Sequence, residues 1–339
     1  MDNIDKRNDI IEVGRELLDT KLVARTWGNI SAREDENNFL ITPSGLDYIT
    51  MKDEDIVSVN MSSGEWNGKH KPSGERGVHK AAYEVFSDVN FVVHTHQTYA
   101  TAIGLVGANS LEMTEDEKEK LGGIGLAEYG LPGSDKLTSA VRGALEGGAH
   151  IVLMIHHGVL ICGSSREEAM ERTKLLEEIC ERNIVKNVKC TFNKDEKMAE
   201  DVRKSIDRAF DMDTQSGRVG GSIVEIVSSP ELIAVAAKKR SIKSQLDDIS
   251  QMIGGSVKIA DENNFLDMLR KTNAVLIPSV GAVVKADDKD DAEALAVLLQ
   301  KMAVVKLHTE FHKTKATIGM IDSIRMHHTY VYKYSKQKK

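Results

Sequence analysis

Phe91-Val92-Val93-His94-Thr95-His96-Gln97-Thr98-Tyr99-Ala100 is the stretch around which the chain is organised. Three apolar residues run into a His-Thr-His triplet. Side chains two apart on a strand share a face, so His94 and His96 reach out together at the end of a buried strand. Neutral imidazole nitrogens ligate zinc and its neighbours well. A lone His-x-His is also met as two ordinary core or surface histidines. What raises the metal reading here is a third histidine and a carboxylate in matching contexts.

Upstream, Ile10, Ile11, Val13, Leu17 and Leu18 form an apolar stripe at helical spacing, predicting a helix over about Asp9 to Leu22. Arg25 to Ser31 reads as a strand or a turn between strands, with Asn29 inside it. Phe39 to Thr42 is a short strand entering the turn Pro43-Ser44-Gly45, and Asp55 to Asn60 is another strand. Lys71-Pro72-Ser73-Gly74-Glu75-Arg76 leads into a helix over Gly77 to Phe86. Backbone N–H groups at such a start are unpaired and attract anions. Downstream, Ala100 to Leu105 begins a helix, and Gly122 to Gly133 reads as a loop containing Tyr129. Ser134 caps a helix reaching Glu146. His150 to Ile155 is a buried strand opening into His156-His157-Gly158, and Ser165 to Asn187 is a long charged helix.

Near Asp213 to Ser222 the sequence turns polar and Gly-rich, as a linker should. The expected domains are 1–212 and 213–339. Beyond the linker, Asn273 to Val284 followed by Asp287 to His308 repeats the plan of His150 to Asn187: buried strand, Gly turn, apolar run, long charged helix. Gly158 falls on Gly281 and Ala169 on Ala292, so His156 and His157 become Ser279 and Val280. Glu225 to Glu231 echoes the His-Thr-His strand in a register open by a residue or two, and has no histidine. The second domain reads as a partial, degenerate copy without a metal site.

The 339 residues are 41% hydrophobic and 29% charged, ordinary for a water-soluble globular chain, and the net charge of -7 gives no reason to expect nucleic-acid or anionic-membrane binding. Cys162, Cys180 and Cys190 are scattered without metal-ligand spacing, which fits a reducing compartment. The first residues lack the apolar run of a secretory signal, and no run is long enough to span a bilayer. The expectation is cytoplasmic.

Asn29, Ser44-Gly45, Ser73-Gly74-Glu75, His94-x-His96 and His157-Gly158, in that order, resemble the class II aldolase/adducin family over about residues 5 to 190. The resemblance implies a three-layer α-β-α fold of the α/β class with a predominantly antiparallel central sheet, plus a smaller α/β second lobe. It makes His94, His96 and His157 the metal ligands. The metal expected is zinc, with manganese or cobalt as alternatives. Glu75 matches the acidic residue that serves as acid/base, while Asn29, Ser44, Gly45, Ser73 and Gly74 match positions that hold a substrate phosphate. His156 would be a packing residue next to the ligand, and His70, His79 and His150 surface histidines.

The chemistry fits those residue types. Cleaving a carbon–carbon bond beside a ketone leaves an enediolate, whose charge a three-histidine metal with open positions stabilises. A carboxylate beside it can move the proton. The resemblance therefore implies a metal-dependent aldolase that cleaves a ketose 1-phosphate of the fuculose-phosphate type to dihydroxyacetone phosphate and an aldehyde. Alternatives on the same fold are a sugar-phosphate epimerase, dehydratase or decarboxylase, or a non-catalytic adducin-like module. Two departures stand out. Leu105 to Gly123 lacks the tyrosine that family aldolases use as a proton donor. Tyr330, Tyr332 and Tyr334 follow the second copy and read most simply as an amphipathic end strand. Family aldolases assemble as homo-oligomers, and the degenerate copy could stand in for a neighbouring subunit.

Overall fold

The computed structural model describes residues 3–190, 193–214 and 222–334. The chain divides into two units, Met1–Lys186 and Asn187–Lys339.

In the first unit the strands are β1 (Asn29–Arg33), β2 (Asn38–Ile41), β3 (Val57–Asn60), β4 (Trp66–Asn67), β5 (Phe91–Thr95), β6 (Ile124–Ala127), β7 (Ile151–Met154) and β8 (Gly158–Gly163). They form one sheet of order β4-β3-β2-β1-β5-β8-β7-β6. Every pairing is antiparallel except β6 with β7. The expected predominantly antiparallel sheet is therefore present.

Helices α1 (Asn3–Asp19), α2 (Arg76–Val85), α3 (Thr98–Gly104), α4 (Glu115–Leu121), α5 (Asp135–Glu146) and α6 (Arg166–Asn187) accompany it. Val92, Val152 and Leu160 share one core with Val78 and Ala82 of α2 and Leu137 and Val141 of α5. On the opposite face Phe91, Val93 and Ile30 pack with Ile10, Val13 and Leu17 of α1 and Ala169 and Met170 of α6. The run Phe91-Val92-Val93 is apolar throughout because β5 is central and buried on both sides. The alternation also puts His94 on the Val92 face, beside α2.

Two elements differ from expectation. The stretch read as a loop from Gly122 contains β6, which pairs parallel to β7. A four-residue edge strand with a glycine inside it and two before it has no alternation to betray it. Helix α4 has no apolar stripe to predict it: it is polar and short, held by a capping box between Thr114 and Glu117 and ended by Gly122 in the left-handed region.

In the second unit, α7 (Glu196–Thr214), which takes in the first residues of the expected linker, packs Ala199, Val202 and Ile206 on Val275, Ile277 and Val283. Residues 215–221 of that linker lie outside the described residues. The remaining elements are β9 (Ile223–Val227), α8 (Pro230–Ala236), β10 (Ile242–Lys243), α9 (Asp247–Met252), β11 (Ser256–Ile259), α10 (Phe265–Leu269), β12 (Ala274–Ile277), β13 (Gly281–Ala286), α11 (Lys289–Phe311) and α12 (Met320–Thr329). The sheet order is β10-β11-β12-β13-β9, with β11 and β12 parallel and the other pairs antiparallel. The run β11-β12-β13-β9 thus has the order and directions of β6-β7-β8-β5.

The likeness extends to single residues. His156 has φ 67° and Ser279 φ 61°. His157 N–H donates to Met154 O at 3.0 Å, and Val280 N–H to Ile277 O at 3.1 Å. Thr95 pairs with Val159, and Val227 with Ala282. Backbone pairing therefore aligns His94 with Ile226 and His96 with Ser228, a register the sequence leaves open.

Tyr330–Tyr334 is a π-helical turn following α12, not the end strand expected. Among the described residues, no helix is long and apolar enough to cross a membrane.

Candidate metal centre

The site forms where the end of β5, the β7–β8 turn and the start of α2 meet. Gly28 lets the chain entering β1 pass over β5, since a Cβ there would stand 2.4 Å from His94 O. Gly158 does the same at the other side: a Cβ would stand 2.3 Å from Thr95 O. Only glycine permits such approaches. The turn before Gly158 carries His157 back over the end of β5.

The three expected ligands converge. One nitrogen from each of His94, His96 and His157 lies within 4.8 Å of the others. His94 and His157 are buried, and His96 is half-buried. His94 Nδ1–H donates to Val159 O at 2.9 Å, which leaves Nε2 as the ring atom turned to the site. That Nε2 lies 3.2 Å from His96 Nε2. A lone pair facing a second nitrogen this closely is favourable only with a proton or a cation between them. The donor set therefore fits a transition metal.

Glu75 stands beside the triad at the entry to α2. Its Oε1 is 2.7 Å from His157 Nε2 and its Oε2 3.2 Å from His94 Nε2. Burial pushes this carboxyl up, but the charges and hydrogen bonds of His157 and His94 outweigh it and hold the group well below the usual carboxylate range. Asn29 Nδ2–H donates to Glu75 Oε2 at 2.9 Å.

Of the residues expected to hold a phosphate, Asn29 bonds the Glu75 carboxylate, Ser73 Oγ accepts from Glu75 N–H at 3.2 Å, and Gly74 precedes it in the chain, while Ser44-Gly45 follows the strand bridged to Pro72. Pro43 and Pro72 form an antiparallel bridge, which sets Ser44 opposite Lys71 and Ser73 opposite Thr42. One part of the expectation needs correction. Ser44 N–H donates to Lys71 O at 3.0 Å and Ser73 N–H to Thr42 O at 3.1 Å. Those two amides are spent on the bridge and are not open to an anion. Open space lies where Gly74 would carry a side chain.

His79 also differs from expectation. It is not a surface residue: it is fully buried on α2, one turn after Glu75, and touches Asn29 and Ser31. Burial pushes its pKa down to about 3, the charge of His94 adding to the effect and Glu75 opposing it. A signal existed in the sequence, because His79 and Tyr83 fall on the apolar stripe of α2 with Val78 and Ala82. His70 and His150 are half-buried, bonded to Asp55 and to Gly122 O respectively. The His156 ring packs edge-on to Tyr129, with centroids 5.3 Å apart.

The family profile of the class II aldolase and adducin N-terminal domain matches residues 8–184. The chain belongs to the class II aldolase and adducin family. An L-fuculose phosphate aldolase of Methanococcus maripaludis is 30% identical over 179 residues, which are 53% of this chain and 96% of the relative. A 5-methylthioribulose-1-phosphate/5-deoxyribulose-1-phosphate aldolase of Rhodospirillum rubrum is 32% identical over 178 residues, 52% of this chain and 79% of the relative. A solved L-fuculose 1-phosphate aldolase shares 27% identity at a TM-score of 0.49, covering 54% of this chain and 86% of its own. The chain is an enzyme of the family's aldolase class, a carbon–carbon lyase. The family match lies within the first unit and includes every candidate site residue.

Proposed function

We propose that the first unit is a metal-dependent aldolase that reversibly cleaves a ketose 1-phosphate, of the fuculose- or 5-deoxyribulose-phosphate type, to dihydroxyacetone phosphate and an aldehyde. The observation that carries this is the Glu75 carboxylate against two of three converged imidazoles. His94, His96 and His157 would hold the ion, zinc with manganese or cobalt as alternatives. A divalent ion bound there supplies an electrophile for a ketone oxygen and for the enediolate charge. Glu75 moves the proton at its Oε1 or Oε2. The hydroxyls of Ser44 and Ser73, the backbone at Gly45 and Gly74 and the amide of Asn29 form the phosphate end. The names of the two relatives, both aldolases of 1-phosphorylated sugars, support this substrate class.

We further propose that the second unit carries, from about residue 213, a degenerate copy in which Ile226, Ser228 and Val280 stand where the ligands stand in the first, and that the enzyme works as a homo-oligomer in the cytoplasm.

Metal-loaded protein given fuculose 1-phosphate and 5-deoxyribulose 1-phosphate is expected to release dihydroxyacetone phosphate. Glu75→Gln, which keeps the shape and removes the base, is expected to lower kcat about 10²–10⁴-fold. Release no greater than in a metal-stripped control sinks the proposal, and NMR of the products separates cleavage from epimerisation or dehydration.

A further inference from the structure

Behind Glu75 a line of buried polar side chains runs from the site into the core. Asn29 Nδ2 meets Glu75 Oε2 at 2.9 Å, and Asn29 Oδ1 meets His79 Nε2. His79 Nδ1 lies 2.7 Å from Ser31 Oγ, which lies 2.7 Å from the Tyr83 hydroxyl. Asn29, Ser31, His79 and Tyr83 are all at least 95% buried, with relative exposures of 5%, 0%, 0% and 3%.

Donor and acceptor accounting gives this line one direction. A carboxylate only accepts, so Asn29 must turn its NH₂ to Glu75 and its carbonyl to His79. That carbonyl only accepts, so the His79 proton sits on Nε2. A ring buried this deeply is neutral, so Nδ1 is a bare acceptor and takes the Ser31 hydroxyl hydrogen. Ser31 Oγ in turn accepts from Tyr83 O–H. Every hydrogen in the line points towards Glu75. The line ends at Tyr83, whose ring packs on Phe39 in the core with centroids 5.4 Å apart, and so offers a proton no exit.

We propose that His79 is a positioning residue for the carbon–carbon cleavage: its Nε2–H locks the Asn29 amide in the orientation that presents Nδ2–H to Glu75, and this holds the carboxylate against His157 and His94. With the lock removed, the amide is free to turn its carbonyl oxygen towards the carboxylate, and like partial charges then drive the two apart. Asn29 serves two groups in this arrangement. Its NH₂ holds Glu75, while its carbonyl oxygen is held by His79. The position of the general base is thus tied to the residue that meets the phosphate.

The inference rests on the aldolase reading, and its test has one arm that does not. In the full-length zinc-loaded chain at pH 7.5, ¹⁵N NMR of the histidine rings is expected to find His79 neutral with its proton on Nε2. A charged ring, or a proton on Nδ1, overturns the proposal whether or not the chain cleaves a sugar phosphate. In the kinetic arm, His79→Leu is expected to lower kcat about 10–100-fold, the range for outer residues that orient a metal site, with a smaller change in KM. His79→Gln, whose amide nitrogen can reach the place of Nε2, is expected to recover most of that loss. Wild-type kcat in His79→Leu overturns the proposal. So does an equal loss in both variants that follows their loss of thermal stability. A wild-type chain without aldolase activity counts against the proposed reaction, and the tautomer then decides the positioning role alone.

Discussion

His79 makes the first unit sensitive to acid. Unfolded, a histidine binds its proton near pH 6.5; here burial, with the His94 charge, pushes the pKa down to about 3. Between these values the unfolded chain binds the extra proton and the folded chain does not. Stability is therefore full above about pH 6.5 and falls as pH drops towards 3, by up to about 1.4 kcal/mol per pH unit for one such group. The groups around the ring are Asn29 and Ser31 on β1, Tyr83 and Glu75 from α2 and its entry, and His94 on β5. His308 in the second unit, pushed down to about 4 by burial and then by His312, acts in the same direction. Urea melts of the metal-free chain at pH 7, 6 and 5 should show a falling midpoint, and His79→Gln should flatten the fall for the first unit. Identical slopes in the two proteins would contradict the assignment. His94, His96 and His157 could be read from their neighbours in sequence, since an apolar run leads into each strand end and a glycine follows His157. His79 is harder to read: its place on the apolar stripe of α2 marks it as buried, but one-dimensional spacing does not say that Asn29 and Ser31 are its partners.

The β7–β8 turn is the element that makes the site. His156 takes φ 67° and Gly158 lies against the backbone of β5, so His157 swings back over the strand end. Gly158→Ala would set a Cβ 2.3 Å from Thr95 O, a backbone atom that has no rotamer to change. The expected cost is about 1–3 kcal/mol or more, together with weaker metal retention as His157 is displaced. Gly143 is the matching control: it lies exposed within α5, and nothing stands within 4 Å of a Cβ there. Gly143→Ala is expected to stabilise by about 0.5–1 kcal/mol. Thermal melts and metal content of the two variants check both signs. A Gly158→Ala protein that melts and holds metal like the parent would refute this account of the turn.

Two units of related strand order predict one metal site. In the second, Ile226, Ser228 and Val280 align with His94, His96 and His157; the two aliphatic side chains offer no lone pair, and the Ser228 hydroxyl donates to Val280 O. Elemental analysis of metal-replete protein should give one transition-metal ion per chain, falling to none in His94→Ala/His157→Ala. Two ions in the parent, or one surviving in the double variant, would locate a second centre and end the reading of a vacant copy. By itself the sequence determined the strands and helices with strong periodicity, the His-Thr-His and His-Gly strand ends, and the family resemblance they carry. These are local properties, written in runs of a few residues whose burial pattern repeats every two or every 3.6 positions. Only the tertiary structure decided that the Ser44 and Ser73 amides are used up in a bridge, that His79 is buried behind Asn29, and which residues of β9 answer to the histidines of β5. Each of those depends on which backbone group meets which across tens of residues, a matter of packing between elements.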